Sequence, residues 1–179
     1  LLDRNYKIPQ TKFANVFYNF KQEIQFDDRV YLSLDGKFSK YLRSLNAYNG
    51  SIESFNKKHN TSFKTFFDIS FSNSYPDDLF SKHWETFVRF ELNPQFIFLN
   101  EKGRSLFNSY LSEKFANINS LNNEWETGYL NFDEIKVDNV TPYESKISND
   151  FINFIKNPDL CPVEVLGIKS VETLWRKFL

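Results

Sequence analysis

Apolar residues fall three and four apart along much of the chain, the spacing of one helix face. Phe13, Phe17 and Phe20 form one such stripe. Phe80, Trp84 and Phe87 repeat it 67 residues on, and Ile147, Phe151 and Phe154 repeat it again after the same step. A proline precedes each stripe, at Pro9, Pro76 and Pro142. Proline suits a helix entry, where its missing N–H would be unpaired anyway. Short β-branched and aromatic runs come next: Val30-Tyr31-Leu32, Ile97-Phe98-Leu99 and, more loosely, Val163-Glu164-Val165-Leu166. Their length predicts a brief strand. An aromatic-x-x-aromatic-Leu signal then predicts a second helix: Phe38, Tyr41, Leu42, then Phe107, Tyr110, Leu111, then Trp175, Phe178, Leu179. A third, short helix is predicted behind the N-caps Ser51 and Asn117. It carries Ile52 and Phe55 in one copy, Ile118 and Leu121 in the other.

The pattern therefore predicts a tandem repeat of about 66–67 residues, two full units and a partial third. The units run 1–75, 76–141 and 142–179. Each is mainly α with one short β-strand, and neighbours are expected to stack and share a core. The tail of each full unit (Thr61-x-Phe63-x-x-Phe66 and Thr127-x-Tyr129-x-x-Phe132) reads as a packed loop over helix ends.

Composition sharpens this picture. Of 179 residues, 21 are Phe, 9 Tyr and 3 Trp, against 5 Gly and no Met. The repeat assigns most of that aromatic surplus to recurring core positions. The 22 basic and 23 acidic side chains nearly cancel, which argues against nucleic acid as a partner. The chain is too short for an eight-fold β/α barrel, which takes roughly 200 residues or more. It opens on Leu1 and reads as a piece of a longer protein, so targeting segments are not expected within it.

Chemistry-bearing residues are few. Asp68 and Glu134 hold one repeat position, as do Asn56 and Asn122, and Thr61 and Thr127. A glycosidase pair must flank one bond at roughly 5 to 10 Å, so duplicated carboxylates read as structural. The Asn and Thr pairs read as side-chain hydrogen bonds to the backbone at a helix end. His59 aligns with Trp125, and His83 with Val16 and Asp150. Two separated histidines and the single Cys161 do not supply a zinc set. Cys161 reads as a small buried hydrophobe. No Gly-x-Ser-x-Gly, His-Glu-x-x-His or phosphate loop is present in the sequence. No catalytic, cofactor or metal residue is therefore assigned, and the chain does not read as an enzyme. Trp84 and Trp175 stand at core positions; Trp125 is the candidate exposed aromatic for binding.

The local pattern Ile-x-x-Phe/Leu-Asn-x-x-x-x-Thr-x-aromatic-x-x-Phe-x-acid-Ile runs from Ile52 to Ile69 and from Ile118 to Ile135. It resembles a segment of bacterial galactosidases of the family 42 type. Over nearly the whole chain, repeat included, the order of elements resembles the repeated extracytoplasmic insertion of large bacterial sugar ABC-transporter permeases. That resemblance implies a helical, non-catalytic module on the extracytoplasmic (periplasmic) face of the inner membrane, within a membrane-embedded parent chain. Its partners would be a solute-binding protein or other transporter subunits. The galactosidase resemblance implies instead an accessory or carbohydrate-binding module. The family's Gly before the Thr is Asn60 here and Glu126 in the second unit. Asn adopts positive φ readily; Glu does so only at a cost, which marks that turn as the one to deviate.

Overall fold

The computed structural model of the chain describes residues 11–23, 34–136, 145–169 and 178–179. The chain divides into two compact units, one of residues 1–32 with 170–179 and one of 33–169.

In the first unit α1 spans Lys12–Glu23. Thr11 Oγ1 accepts the Ala14 N–H at 3.1 Å and ties down its entry. Burial along the stripe is graded. Phe20 is fully buried, with its ring 5.3 Å from that of Phe178, whereas Phe13 is 69% exposed. The expected inward stripe is thus buried at the C-terminal end of the helix, where Phe178 packs, and open to solvent at Phe13.

The second unit is mainly helical with one small sheet. Its helices are α2 (Leu34–Ser44), α3 (Ile52–His59), α4 (Ser81–Thr86), α5 (Glu101–Lys114), α6 (Ile118–Trp125) and α7 (Ser145–Lys156). No helix among the described residues is long and apolar enough to cross a membrane. Both predicted caps form: Ser51 Oγ accepts from Ser54 N at 3.2 Å, and Asn117 Oδ1 from Ser120 N at 2.9 Å. Pro76 does not open α4. The N-cap is Phe80, and a turn at Asp78 leads into it, Asp78 Oδ1 accepting from Phe80 N at 2.7 Å while its carbonyl accepts from Ser81 N. A carboxylate at that end also complements the helix dipole.

The strand expected at Val30–Leu32 lies outside the described residues. Ile97–Leu99 forms β1 as predicted, entered through a 3-10 turn at Pro94–Phe96. The third run is displaced. Val163–Val165 makes a 3-10 turn behind Pro162, and the strand β2 is Leu166–Ile168. Gly167 lies opposite Phe98, whose ring occupies the space a Cβ there would take, so any larger residue would have to displace that ring. The two strands pair antiparallel, Ile97 with Ile168, Phe98 with Gly167 and Leu99 with Leu166.

Aromatic rings fill the core. Phe38 of α2 meets Phe87 at 5.3 Å edge-on, and Phe107 of α5 meets Phe154 of α7 at 5.1 Å in the same manner. Phe55 stacks on Phe80 at 6.0 Å. Trp84 is 1% exposed, as its core position predicts; Trp175 lies outside the described residues. Such edge-on and offset pairs are favourable ring geometries. After Thr86, α4 widens into a π turn over Phe87–Glu91, which buries the consecutive side chains Phe87, Val88 and Arg89.

Asn60 and Glu126 close α3 and α6 in the left-handed region, at φ 53° and 59°. The Glu126 turn therefore forms in spite of its side chain. A non-glycine residue held there stores on the order of 1 kcal/mol or more. Replacing Glu126 by Gly is expected to raise the unfolding free energy by about 1 kcal/mol in urea titration. The Glu126–Lys146 ion pair lost in that variant is exposed and contributes little.

Candidate functional site

Polar side chains in the second unit gather at three kinds of place, each set where one helix hands over to the next.

The first is the loop after α3 and after α6. Asn56 Nδ2 donates to the Phe63 carbonyl at 2.8 Å, and its Oδ1 accepts from Thr61 Oγ1 and Phe63 N. Sixty-six residues on, Asn122 Nδ2 donates to the Tyr129 carbonyl at 2.8 Å, and its Oδ1 accepts from Thr127 Oγ1 and Tyr129 N. The carboxylates cap the 3-10 turns that follow. Asp68 Oδ2 accepts from Lys64 N and Thr65 N, and Glu134 Oε2 from Leu130 N. These are the structural roles expected of the duplicated residues. An amide fits because it donates and accepts at once.

The second place joins α3 to α4 and α6 to α7. Tyr48 is fully buried, and its hydroxyl lies 2.7 Å from Nε2 of both His59 and His83. The histidines read as unrelated in sequence are thus neighbours, with ring centroids 5.5 Å apart. A phenol bridging two imidazoles donates to one, whose Nε2 must be unprotonated, and accepts from the other, whose Nε2 carries a proton. Burial, then the neighbouring His59, Lys58 and Lys82, lowers the His83 pKa to about 4; burial and Lys58 lower that of His59. Burial also raises the Tyr48 phenol. The charged side chains acting on this cluster are all cations, which opposes a metal dication. No group of three or more His, Cys, Asp or Glu able to hold a metal occurs among the described residues. At the corresponding joint, Trp125 Nε1 donates to Asp150 Oδ2 at 2.9 Å, and Lys114 Nζ pairs with Asp150 Oδ1.

This corrects the expectation for Trp125. It is 6% exposed, its ring packed against Phe115 at 6.3 Å and its N–H held by Asp150. An indole with a buried carboxylate to satisfy is drawn inward rather than left for a ligand.

The third place is Arg89, which sequence periodicity did not single out. Its side chain is 1% exposed. Nε bonds Glu85 Oε1 at 2.8 Å, Nη1 donates to the Ile155 carbonyl, and Nη2 donates to the Cys161 carbonyl at 2.8 Å. One guanidinium thus satisfies carbonyls at the end of α7 and in the turn behind it. Cys161 is fully buried, and burial raises its thiol to about 11, which suits an inert packing residue.

On the surface, Phe67 is 75% and Leu130 80% exposed, in the loops after α3 and α6 respectively. Phe67 borders a shallow groove of about 300 Å³ lined also by Arg43, Ile52, Glu53 and Lys64.

The paired positions 59/83 and 125/150, spaced 66 and 67 residues apart, carried a readable signal: two imidazoles stand in one pair, an indole and a carboxylate in the other. Arg89 left none, because the π turn that faces it inward breaks the 3.6-residue rhythm. Comparison with protein-family models, with curated proteins and with solved structures finds no match to this chain.

Proposed function

We propose that the chain is a tandem array of 66–67-residue helical units, two complete and a third begun, serving as a non-catalytic protein-contact module. The observation that carries this reading is the recurrence of whole bonding networks at a fixed step. The Asn56 and Asn122 triads match bond for bond. One ring pair recurs as Tyr41–Phe87 at 5.4 Å, Tyr110–Phe154 at 5.6 Å and Phe178–Phe20 at 5.3 Å. The duplicated polar groups are thereby engaged in tying down the loop inside each unit, and none of them is left as an acid–base or nucleophilic pair.

The resemblance to the permease insertion supports a reading of this chain as a module on the extracytoplasmic face of a bacterial sugar ABC transporter, within a membrane-embedded parent chain. There it docks the solute-binding protein or orders the permease. The contact surface we assign is the row of loops that expose Phe67 and Leu130. Exposed Phe67, beside a mainly apolar groove edged by Arg43, Glu53 and Lys64, suits an interface centre with a charged rim. Burial of Trp84 and Trp125 removes two of the indoles on which the carbohydrate-binding alternative leaned.

Immobilised module and the purified solute-binding protein of the same transporter provide the test. Binding in the micromolar range is expected, weakened at least tenfold in the Phe67→Ser/Leu130→Ser double variant with its urea midpoint unchanged. No binding at high protein concentration sinks the reading. Thermal stabilisation by oligosaccharides in its place would favour the accessory-module alternative.

A further inference from the structure

The two polar joints are built from different chemistry, and only one can respond to mild acid. We propose that Tyr48, His59 and His83 form an acid-released joint: protonation of the imidazoles parts α3 from α4, while the Trp125–Asp150 joint between α6 and α7 holds.

The ring that accepts the phenol proton is the sensitive one. With both rings neutral, the Tyr48 hydroxyl donates to one Nε2 and accepts from the other. Protonating the accepting ring makes its Nε2 a donor. The phenol proton then loses its partner in a site walled by Phe55, whose ring centroid is 4.9 Å from that of Tyr48. Every titratable or charged group that acts on the cluster makes matters worse or leaves them unchanged. Lys58 on α3 and Lys82 on α4 are cations, the second ring lies 5.5 Å from the first, and Tyr41 on α2 is a neutral phenol. Lys58 Nζ already sits 5.3 Å from the Tyr48 ring centroid. A positive charge arriving here meets no carboxylate among the groups that act on it.

The sign follows from linkage. The closed joint holds His83 at a pKa of about 4, below the ordinary 6.5. Its contribution is therefore complete above pH 6.5 and is lost as pH falls towards 4. The joint between α6 and α7 contains no imidazole.

Hydrogen exchange followed by mass spectrometry tests this on the whole chain at pH 7.5 and 5.0, after correction for intrinsic rates. Protection of 52–59 and 81–91 is expected to fall about tenfold, within the roughly 30-fold ceiling set by one such histidine, while 118–125 and 145–156 keep theirs. The His59→Trp/His83→Asp variant, which brings the Trp–Asp pair of the second joint into the first without its lysine, should abolish the difference. His59→Gln/His83→Gln serves the same end if that graft does not fold. The proposal is overturned by equal loss at both joints, by no loss at the first, or by an unchanged pH response in the variant that folds. An NMR titration placing the His83 midpoint at or above 6.5 overturns it as well. None of these outcomes depends on whether the module binds a transporter subunit.

Discussion

Replacing Arg89 by Ala is expected to lower the unfolding free energy by about 4 kcal/mol. Three hydrogen bonds from a charged donor go at once, each worth roughly 1.5–3 kcal/mol. The carbonyls of Ile155 and Cys161, on residues 1% and 0% exposed, are left with no water to replace the guanidinium. Removing one member of a buried charge pair alone is destabilising by about 3–5 kcal/mol. Glu85 stays half-open to solvent, at 31% side-chain exposure, so its own penalty is the smaller part. Arg89→Lys keeps the charge but not the planar fork, and should recover less than half of the loss. Urea denaturation measures both. A loss below about 1 kcal/mol for the Ala variant would mean that the guanidinium does not hold these carbonyls.

Asn56→Ala and Asn122→Ala are each expected to destabilise by about 3 kcal/mol. Every one of these amides makes three bonds at roughly 1 kcal/mol each, and truncation orphans a partly buried carbonyl and N–H in the facing loop. Asn56→Asp keeps the two accepted bonds and forfeits the donated one, so it should lose about half as much. The comparison between sites matters more than either value. Because the geometry is duplicated, the two Ala variants should agree within about 1 kcal/mol in paired urea titrations. A disparity of several kcal/mol would show that the two loops are not energetic equivalents and would remove a main support of the repeat reading.

Much of the helical framework was legible in the residues because it rests on local rules. Caps at Ser51 and Asn117, the α3 and α6 stripes, strand β1 and the structural use of Asn56, Asp68, Asn122 and Glu134 all follow from side-chain chemistry within a few positions. What escaped depends on partners distant in sequence. Burial of Trp125 needs Asp150, the approach of His59 to His83 needs Tyr48 between them, and Gly167 in β2 leaves room for the ring of Phe98 opposite it. Arg89 escaped for a different reason. A π turn adds a residue to the helical cycle, so a cation that periodicity puts outside turns inward. Exposure of Phe13 is the converse: the spacing marks a helix face, yet spacing alone does not say what covers each part of it.

The pairing of β1 with β2 has a geometric corollary for the proposed array. Each strand follows a 3-10 turn, so both hold the same place in their units. Ile97 faces Ile168 while Leu99 faces Leu166, a register that maps onto itself when the strands are exchanged. Copies related by simple translation would lay equivalent strands side by side in the same direction. An antiparallel match instead requires a half-turn between them, the relation of two subunits in a symmetric dimer. At this seam the two strand segments are related by a local half-turn, whereas the Tyr41–Phe87 and Tyr110–Phe154 contacts run in one direction along the chain.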